Sequence, residues 1–145
     1  MKYCLFFLFL FTCFSLEAEE LCFKNKACYN VEIAQKDEEL QNGLMWVKEL
    51  SYNRGMLFDL RRFDSKMVSM WMKNTYIALD MVFIGCDNVV KDIYEQAKPL
   101  SLDIINSDTD FCYVLEINGG MCEKNNIVVG DVVLFDNLIK YKLNV

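Results

Sequence analysis

The chain has 145 residues, a net charge of −6 at pH 7 and no histidine. The length fits one domain, and the acidic balance argues against nucleic acid and anionic lipid headgroups, because both are bound by clustered basic surfaces. Without histidine the chain lacks the commonest general base and metal ligand, and it also lacks the glycine-rich phosphate motifs. We therefore expect no metal and no cofactor.

Residues 1–18 have the layout of a secretory signal peptide, with Lys2 followed by an almost unbroken apolar run and then acidic residues. The apolar run is shorter than the roughly 20 residues that cross a bilayer, which argues against a transmembrane anchor. We expect cleavage after Ala18. Because Leu16 is large for a cleavage motif, a membrane-attached, uncleaved leader is the alternative. The mature chain, residues 19–145, is then one exported domain of the periplasm or cell envelope, with no transmembrane span.

The first half of the mature chain mixes short strands with one helix. Two strands, at 21–23 and 28–34, flank a polar turn. Acidic residues then open a helix over 36–49, in which apolar residues recur at helical spacing. Four strand-like runs separated by turn residues follow, at 56–60, 67–72, 79–84 and 89–94.

The second half begins with the longest irregular connection, 96–110, which holds the only proline. A strand at 111–117, a turn with one helical turn at 118–126, and strands at 132–135 and 138–142 complete the chain. Many short strands with a single helix predict a mainly β, single-domain fold. The expected architecture is a sandwich or a partly closed barrel with one short packed α-helix.

Five cysteines follow the leader, and export permits disulfides. Cys22 and Cys28 flank a turn that can bring them face to face, and Cys112 and Cys122 flank a strand and a turn. Cys86 would then remain unpaired. The alternative is that some of these cysteines are small buried hydrophobic residues.

Polar side chains interrupt the apolar sequence around residue 73. Lys73, Asn74 and Thr75 are adjacent, and Asp80 lies inside the following apolar run. An unpaired buried charge is costly, so Lys73 and Asp80 should pair with a specific group or lie at the edge of a pocket. Trp71 could form a stacking platform for a ligand, but its strand is apolar on both faces, which favours a buried central strand.

Carboxylates supply the other candidates. Asp80, Glu116 and Asp131 lie within or beside apolar strands, where paired carboxylates can carry out acid–base chemistry or glycoside cleavage. The structural alternative is a carboxylate that accepts backbone hydrogen bonds or pairs with Lys73. For Asp131, directly after Gly130, capping of a turn is the favoured interpretation.

Seven segments recur in the order of one family's motifs. They are VEIA at 31–34, GLM at 43–45, GMLF at 55–58, WMKNT at 71–75, LD at 79–80, VLEINGG at 114–120 and VGD at 129–131. Together they resemble the bacterial and archaeal family called domain of unknown function 192, over about residues 29–142.

The resemblance implies a compact β fold of sandwich or jelly-roll-like architecture, usually exported, with a short helix packed against it. It implies no activity, because the family has none established. The residues that it singles out are Glu32, Lys73, Asn74, Thr75, Asp80, Glu116 and Asp131. The cysteines and the turn at 85–88 depart from the family pattern.

Three functional hypotheses follow. The favoured one is a non-catalytic envelope module that binds a small polar or saccharide-like ligand, or a partner peptide, at a cleft lined by Lys73, Asn74, Asp80 and Glu116. The second is a hydrolase that uses Asp80 and Glu116 as a pair, with their carboxyls about 5 to 9.5 Å apart. The third is a purely structural cluster in which Lys73 and Asp80 fix the strand register.

Overall fold

The computed structural model describes residues 19–144, so the predicted signal peptide lies outside the described residues. The strands are β1 (Glu19–Phe23), β2 (Cys28–Ala34), β3 (Arg54–Asp59), β4 (Leu79–Ile84), β5 (Val90–Ala97), β6 (Tyr113–Asn118) and β7 (Val133–Phe135). The helices are α1 (Asp37–Asn42), α2 (Met121–Lys124) and α3 (Asn137–Leu143). Within this part of the chain, no helix is long and apolar enough to cross a membrane.

All seven strands belong to one curled sheet, in the order β5-β4-β6-β3-β2-β1-β7. The β2–β3 pair is parallel, and the other named pairs are antiparallel. The two ends of the sheet approach each other where Val89 bridges Val132 and the N–H of Val90 donates to the carbonyl of Asp131 at 2.9 Å. The predicted mainly β fold is therefore confirmed as a partly closed barrel.

The curled sheet buries side chains on both of its faces. Inward-pointing residues of all seven strands form one core, with Leu57, Val82 and Leu115 at its centre. Phe58 and Met81 belong to a second core on the outer face, which the segments at 44–50, 60–77 and 97–111 cover. Every residue of β4 is consequently buried, as expected for a central strand with both faces covered.

Two predicted elements around the outer core are wrong. The helix expected over 36–49 ends after one and a half turns, because Gly43 follows α1 with a left-handed φ of 48° that breaks the helical path. The strand expected over 67–72 is irregular: a 3-10 turn at Ser65–Met67 precedes a single bridge between Met70 and Ile105.

The strand predicted at 138–142 is also wrong, because these residues belong to α3. The side chain of Asp136 accepts a hydrogen bond from the N–H of Ile139 at 2.7 Å and so caps the helix start. The helical turn predicted within 118–126 is confirmed by α2. The described chain thus has three short helices where the sequence predicted one packed helix.

The cysteines form two disulfides in the described chain. Cys22 and Cys28 face each other across the β1–β2 pair and are bonded, as predicted. The expected pairing of Cys112 with Cys122 is wrong, because Cys112 is bonded to Cys86. The N–H of Cys112 donates to the carbonyl of Ile84, which brings the start of β6 beside the end of β4. Cys122 is a free thiol, fully buried in the inner core.

Candidate binding site

Asp80 is a fully buried carboxylate that accepts three hydrogen bonds from backbone N–H groups. Oδ1 accepts from the N–H groups of Gln96, at 2.8 Å, and Gly120, at 3.0 Å, and Oδ2 accepts from the N–H of Cys122 at 2.8 Å. These bonds tie β4 to the end of β5 and to the first turn of α2. Asp80 therefore holds three segments together, and Lys73 is not among its partners.

Asp80 and Glu116 point to opposite faces of the sheet. In the β4–β6 register Asp80 lies opposite Ile117, while Glu116 lies opposite Met81. Because neighbouring residues on a strand alternate between faces, Asp80 joins the inner side with Ile117, and Glu116 joins the outer side with Met81. The hydrolase hypothesis that pairs these two carboxyls is wrong, since the sheet separates them.

Glu116 is buried in apolar surroundings at the centre of the outer face. Its register partners are Met56 on β3 and Met81 on β4. Among residues 19–144, no side chain or backbone group makes a hydrogen bond with its carboxyl. Burial alone raises the pKa of Glu116 from 4.5 to about 8. At neutral pH this side chain is therefore mostly a neutral acid, with one O–H donor and a free acceptor oxygen.

The carboxyl of Glu116 faces a small cavity of about 40 Å³. The other lining residues come from the end of α1 and the loop after it, from Phe58 on β3, and from the segment 69–75. A water molecule needs roughly 10–15 Å³ of such space, so the cavity holds a few small atoms and not a sugar ring or a peptide side chain of ordinary size.

Gly43 forms the wall opposite the carboxyl. A Cβ placed there would lie 3.8 Å from Oε2 of Glu116 and 2.9 Å from Cζ of Phe58. Any side chain at this position would clash with the Phe58 ring and fill the approach to the carboxyl. The glycine therefore keeps the cavity open as well as ending α1.

Lys73 lies at the rim of the cavity and is exposed. Its Nζ is 5.0 Å from the centroid of the Trp71 ring, and it forms no ion pair with the described carboxylates. Trp71 also lines the cavity and is 39% exposed. The burial predicted for Trp71 is therefore wrong, and so is a structural lock between Lys73 and Asp80.

Thr75 and Asn74 shape the same rim. Thr75 is buried, lines the cavity and donates its hydroxyl to the carbonyl of Lys73 at 3.3 Å. Asn74 has a left-handed φ of 56°, and its amide contacts Sδ of Met45 at 3.9 Å. Lys73, Thr75 and Glu116 are the predicted site residues that the structure brings together at the cavity.

The other predicted residues lie elsewhere. Glu32 is exposed on β2, where its Oε1 accepts a hydrogen bond from Arg54 at 2.7 Å. Asp131 accepts from Nζ of Lys26 at 2.6 Å and from the N–H of Val128 at 2.8 Å. Desolvation raises the pKa of Asp131, but the hydrogen bonds from Lys26 and Val128 and the charge of Lys26 together outweigh it and lower the pKa. Asp131 thus caps a turn and takes no part in the cavity.

No sequence pattern indicates the positions of two residues in or beside the site. Phe58 reads as an ordinary core residue of its strand, although it forms a cavity wall. Trp46 was expected inside a helix, yet it is 61% exposed with a left-handed φ of 68° beside the cavity rim. No pattern in a single sequence predicts a tryptophan with a left-handed backbone, because contacts in the folded chain impose that conformation.

The fold and the cavity define a half-closed β-barrel scaffold whose outer face carries a largely buried acid, Glu116, without a hydrogen-bond partner in the described chain. The chain belongs to the DUF192 family, described as an uncharacterized ACR, whose profile matches residues 20–135. The family resemblance in the motifs is thereby confirmed.

Several solved structures share this fold, and two of them are similar to this chain over most of its length. One, from Novosphingobium aromaticivorans DSM 12444, is a protein of unknown function with 33% identity and a TM-score of 0.73, covering 81% of this chain and 83% of its own. The other, from Sinorhizobium meliloti 1021, is described as a candidate transcription regulator. It is 34% identical with a TM-score of 0.73, and the match covers 81% of this chain and 94% of the other chain. A comparison with curated proteins finds no significant match.

Proposed function

We propose that this protein is a non-catalytic binding module that receives one polar group of a small, saccharide-like ligand in the cavity at Glu116. The observation that carries the proposal is the carboxyl of Glu116, which lies at the cavity surface in a residue that is only 4% exposed, and which has no hydrogen-bond partner among residues 19–144. The neutral acid offers an O–H donor and an acceptor oxygen that no other group of the described chain uses, so a ligand hydroxyl in the cavity can form hydrogen bonds with it.

The size and chemistry of the cavity favour a hydroxyl group as the part of the ligand that enters. A cavity of about 40 Å³ takes a hydroxyl or hydroxymethyl group but leaves the rest of the ligand outside. A hydroxyl both donates and accepts, which matches the neutral acid of Glu116 and the hydroxyl of Thr75. The positive charge of Lys73 at the rim opposes the entry of an ammonium group.

A second candidate function is acid catalysis by Glu116 alone, on the same ligand. Its pKa of about 8 places the proton transfer near neutral pH, as general acids require. Incubation of di- and trisaccharides with the protein, followed by chromatography, tests this candidate. Products formed by the wild type and not by Glu116→Gln would establish catalysis. If the sugars stay intact, binding is the only function that remains.

Export to the periplasm or cell envelope is part of the proposal. The leader-like layout of residues 1–18 supports it, as do the two cysteine pairs, because disulfides persist in oxidising compartments. Cell fractionation with N-terminal sequencing tests this point, and a mature chain beginning at Glu19 is expected. Regulation of transcription is not proposed for this chain, since its net charge of −6 opposes binding to DNA.

The binding proposal is tested by thermal unfolding of the purified protein with a panel of mono- and disaccharides. At least one sugar should raise the Tm of the wild type, because a ligand that binds only the folded state stabilises it. The same sugar should leave the Tm of Glu116→Met and Lys73→Met unshifted, because methionine at position 116 offers neither the donor nor the acceptor of the neutral acid. Both variants should remain folded.

Lys140→Met is the matched control, because this exposed lysine lies on α3, which packs against β1 and β7 and not against the site. It should respond to the sugar as the wild type does. The proposal fails if no sugar shifts the Tm, or if Glu116→Met responds as strongly as the wild type.

A further inference from the structure

Three residues with left-handed backbones meet beside the cavity. Trp46, Asn74 and Leu100 have φ angles of 68°, 56° and 63°. The N–H of Trp46 donates to the carbonyl of Asn74 at 2.8 Å, and the N–H of Leu100 donates to the carbonyl of Thr75 at 3.0 Å. Left-handed conformations are unfavourable for bulky residues, and strain of this kind concentrates at binding sites.

This backbone arrangement presents an apolar surface to solvent. Trp46 is 61% exposed, and its ring lies 6.2 Å from the ring of Tyr76, with an interplanar angle of 59°. Leu100 is also exposed. We call the exposed surface formed by Trp46, Tyr76 and Leu100 the aromatic shelf. Exposed apolar residues that are scattered singly are normal, whereas paired aromatic rings beside a cavity form a surface on which another molecule can lie.

The aromatic shelf adjoins the rim of the cavity. Lys73 and Thr75 line the cavity. The N–H of Trp46 donates to the carbonyl of Asn74, which lies between them in the chain, and the N–H of Leu100 donates to the carbonyl of Thr75. A ligand with one group at Glu116 would therefore extend over the shelf. Trp71, the other aromatic residue at the rim, has Nζ of Lys73 over its ring and is less available for stacking.

We propose that the aromatic shelf binds a second ring of an oligosaccharide whose first ring places a hydroxyl in the Glu116 cavity. The inference rests on the proposed function and specifies its ligand as a chain of at least two sugar units. A sugar ring has an apolar face of C–H bonds and a polar edge, so it can lie against Trp46 and Tyr76 with its hydroxyls in water.

An extended peptide fits this surface less well. Peptides that lie across a protein surface gain much of their affinity from main-chain hydrogen bonds. At the aromatic shelf the N–H groups of Trp46 and Leu100 already donate to carbonyls of the protein itself. These two groups are therefore not available to a peptide backbone, whereas stacking of a ring needs neither of them.

The test compares chain lengths by isothermal titration calorimetry. The probes are three series from one to four units: glucose with cello-oligosaccharides, glucose with malto-oligosaccharides, and N-acetylglucosamine with chito-oligosaccharides. In at least one series we expect the affinity to rise roughly two- to tenfold from one unit to two, the range that one added aromatic contact gives. Trp46→Gly should remove this gain and leave the affinity for the single unit unchanged.

Glycine at position 46 adopts the left-handed backbone without strain, so this variant should fold, and Tyr76→Ala provides a second one. Tyr141→Ala, at an exposed tyrosine on α3, is the matched control and should bind every probe as the wild type does.

Three outcomes overturn the inference. One is an affinity that does not change with chain length, and another is an equal loss for one and two units in Trp46→Gly. The third is Trp46-dependent self-association in analytical ultracentrifugation, which would assign the aromatic shelf to a second copy of the chain. In each of these cases, binding of a single sugar that depends on Glu116 would leave the proposed function standing. If no sugar binds, both this inference and the proposed function are wrong.

Discussion

Replacement of Asp80 by asparagine tests whether this carboxylate is a structural element. Asparagine has nearly the same shape but only one acceptor oxygen. It can keep the two bonds that Gln96 and Gly120 donate to Oδ1. Its amino group would then face the N–H of Cys122, which donates to Oδ2 at 2.8 Å in the wild type. Two donors would meet in a fully buried place.

The expected loss in the free energy of unfolding is about 3 kcal/mol. A hydrogen bond to a charged group contributes roughly 1.5–3 kcal/mol, and a buried donor without a partner costs about 1–3 kcal/mol. The lost Cys122 bond and the weakening of the other two bonds to a neutral acceptor together give this figure. It is a large part of the total stability of a small domain.

Urea denaturation measures the effect. With an m-value of about 2 kcal/mol/M, the midpoint should fall by roughly 1.5 M without a change in slope. Asp108→Asn is the matched control, because Asp108 is exposed in the 96–110 connection, and it should change stability by less than about 0.5 kcal/mol. Equal midpoints for the two variants would refute the structural role assigned to Asp80.

Three further predictions concern the cavity and the disulfides. Because burial raises the pKa of Glu116 to about 8, the folded state keeps this proton from pH 4.5 to 8 while the unfolded state loses it, so stability falls as the pH rises. Urea denaturation should show a fall of about 3 kcal/mol between pH 5 and pH 8 relative to Glu116→Gln, and parallel profiles would contradict the burial. Peptide mapping of the non-reduced protein should recover Cys86 linked to Cys112, whereas a link from Cys112 to another cysteine would contradict the strand register. Gly43→Ala should lower stability by about 1–2 kcal/mol in urea denaturation, because its Cβ meets Phe58 in a left-handed backbone, and an unchanged midpoint would count against that packing.

Alternation of apolar residues predicted most of the sheet, and it failed where a local signal competed with it. Residues 138–142 alternate like a strand, but the Asp136 side chain caps a helix there. Leu44 lies at helical spacing from Leu40, but Gly43 turns the chain before it. In both places a single residue decides the local structure against the apolar pattern. The Asp136 side chain stabilises the first turn of a helix, and the left-handed backbone of Gly43 ends one.

The candidate site was predictable only in part. Polar residues inside apolar sequence pointed to Lys73, Asp80 and Glu116, and two of these line the cavity. The sequence does not show which of Asp80 and Glu116 faces the cavity. That depends on the β4–β6 register, and a register shift of one residue would exchange the faces to which the side chains point. Trp46 was missed for a different reason: its exposure depends on a turn 28 residues further along the chain.

Titration of the Glu116 carboxyl, followed by carbon-13 NMR, tests the binding proposal most directly. The resonance is assigned by comparison with Glu116→Gln, and the titration is repeated with the sugar that raises the Tm most. We predict an apparent pKa of about 8 in the free protein and a change in the resonance when the sugar binds. A pKa near the ordinary 4.5, or a resonance that a bound sugar leaves unchanged, would contradict the account.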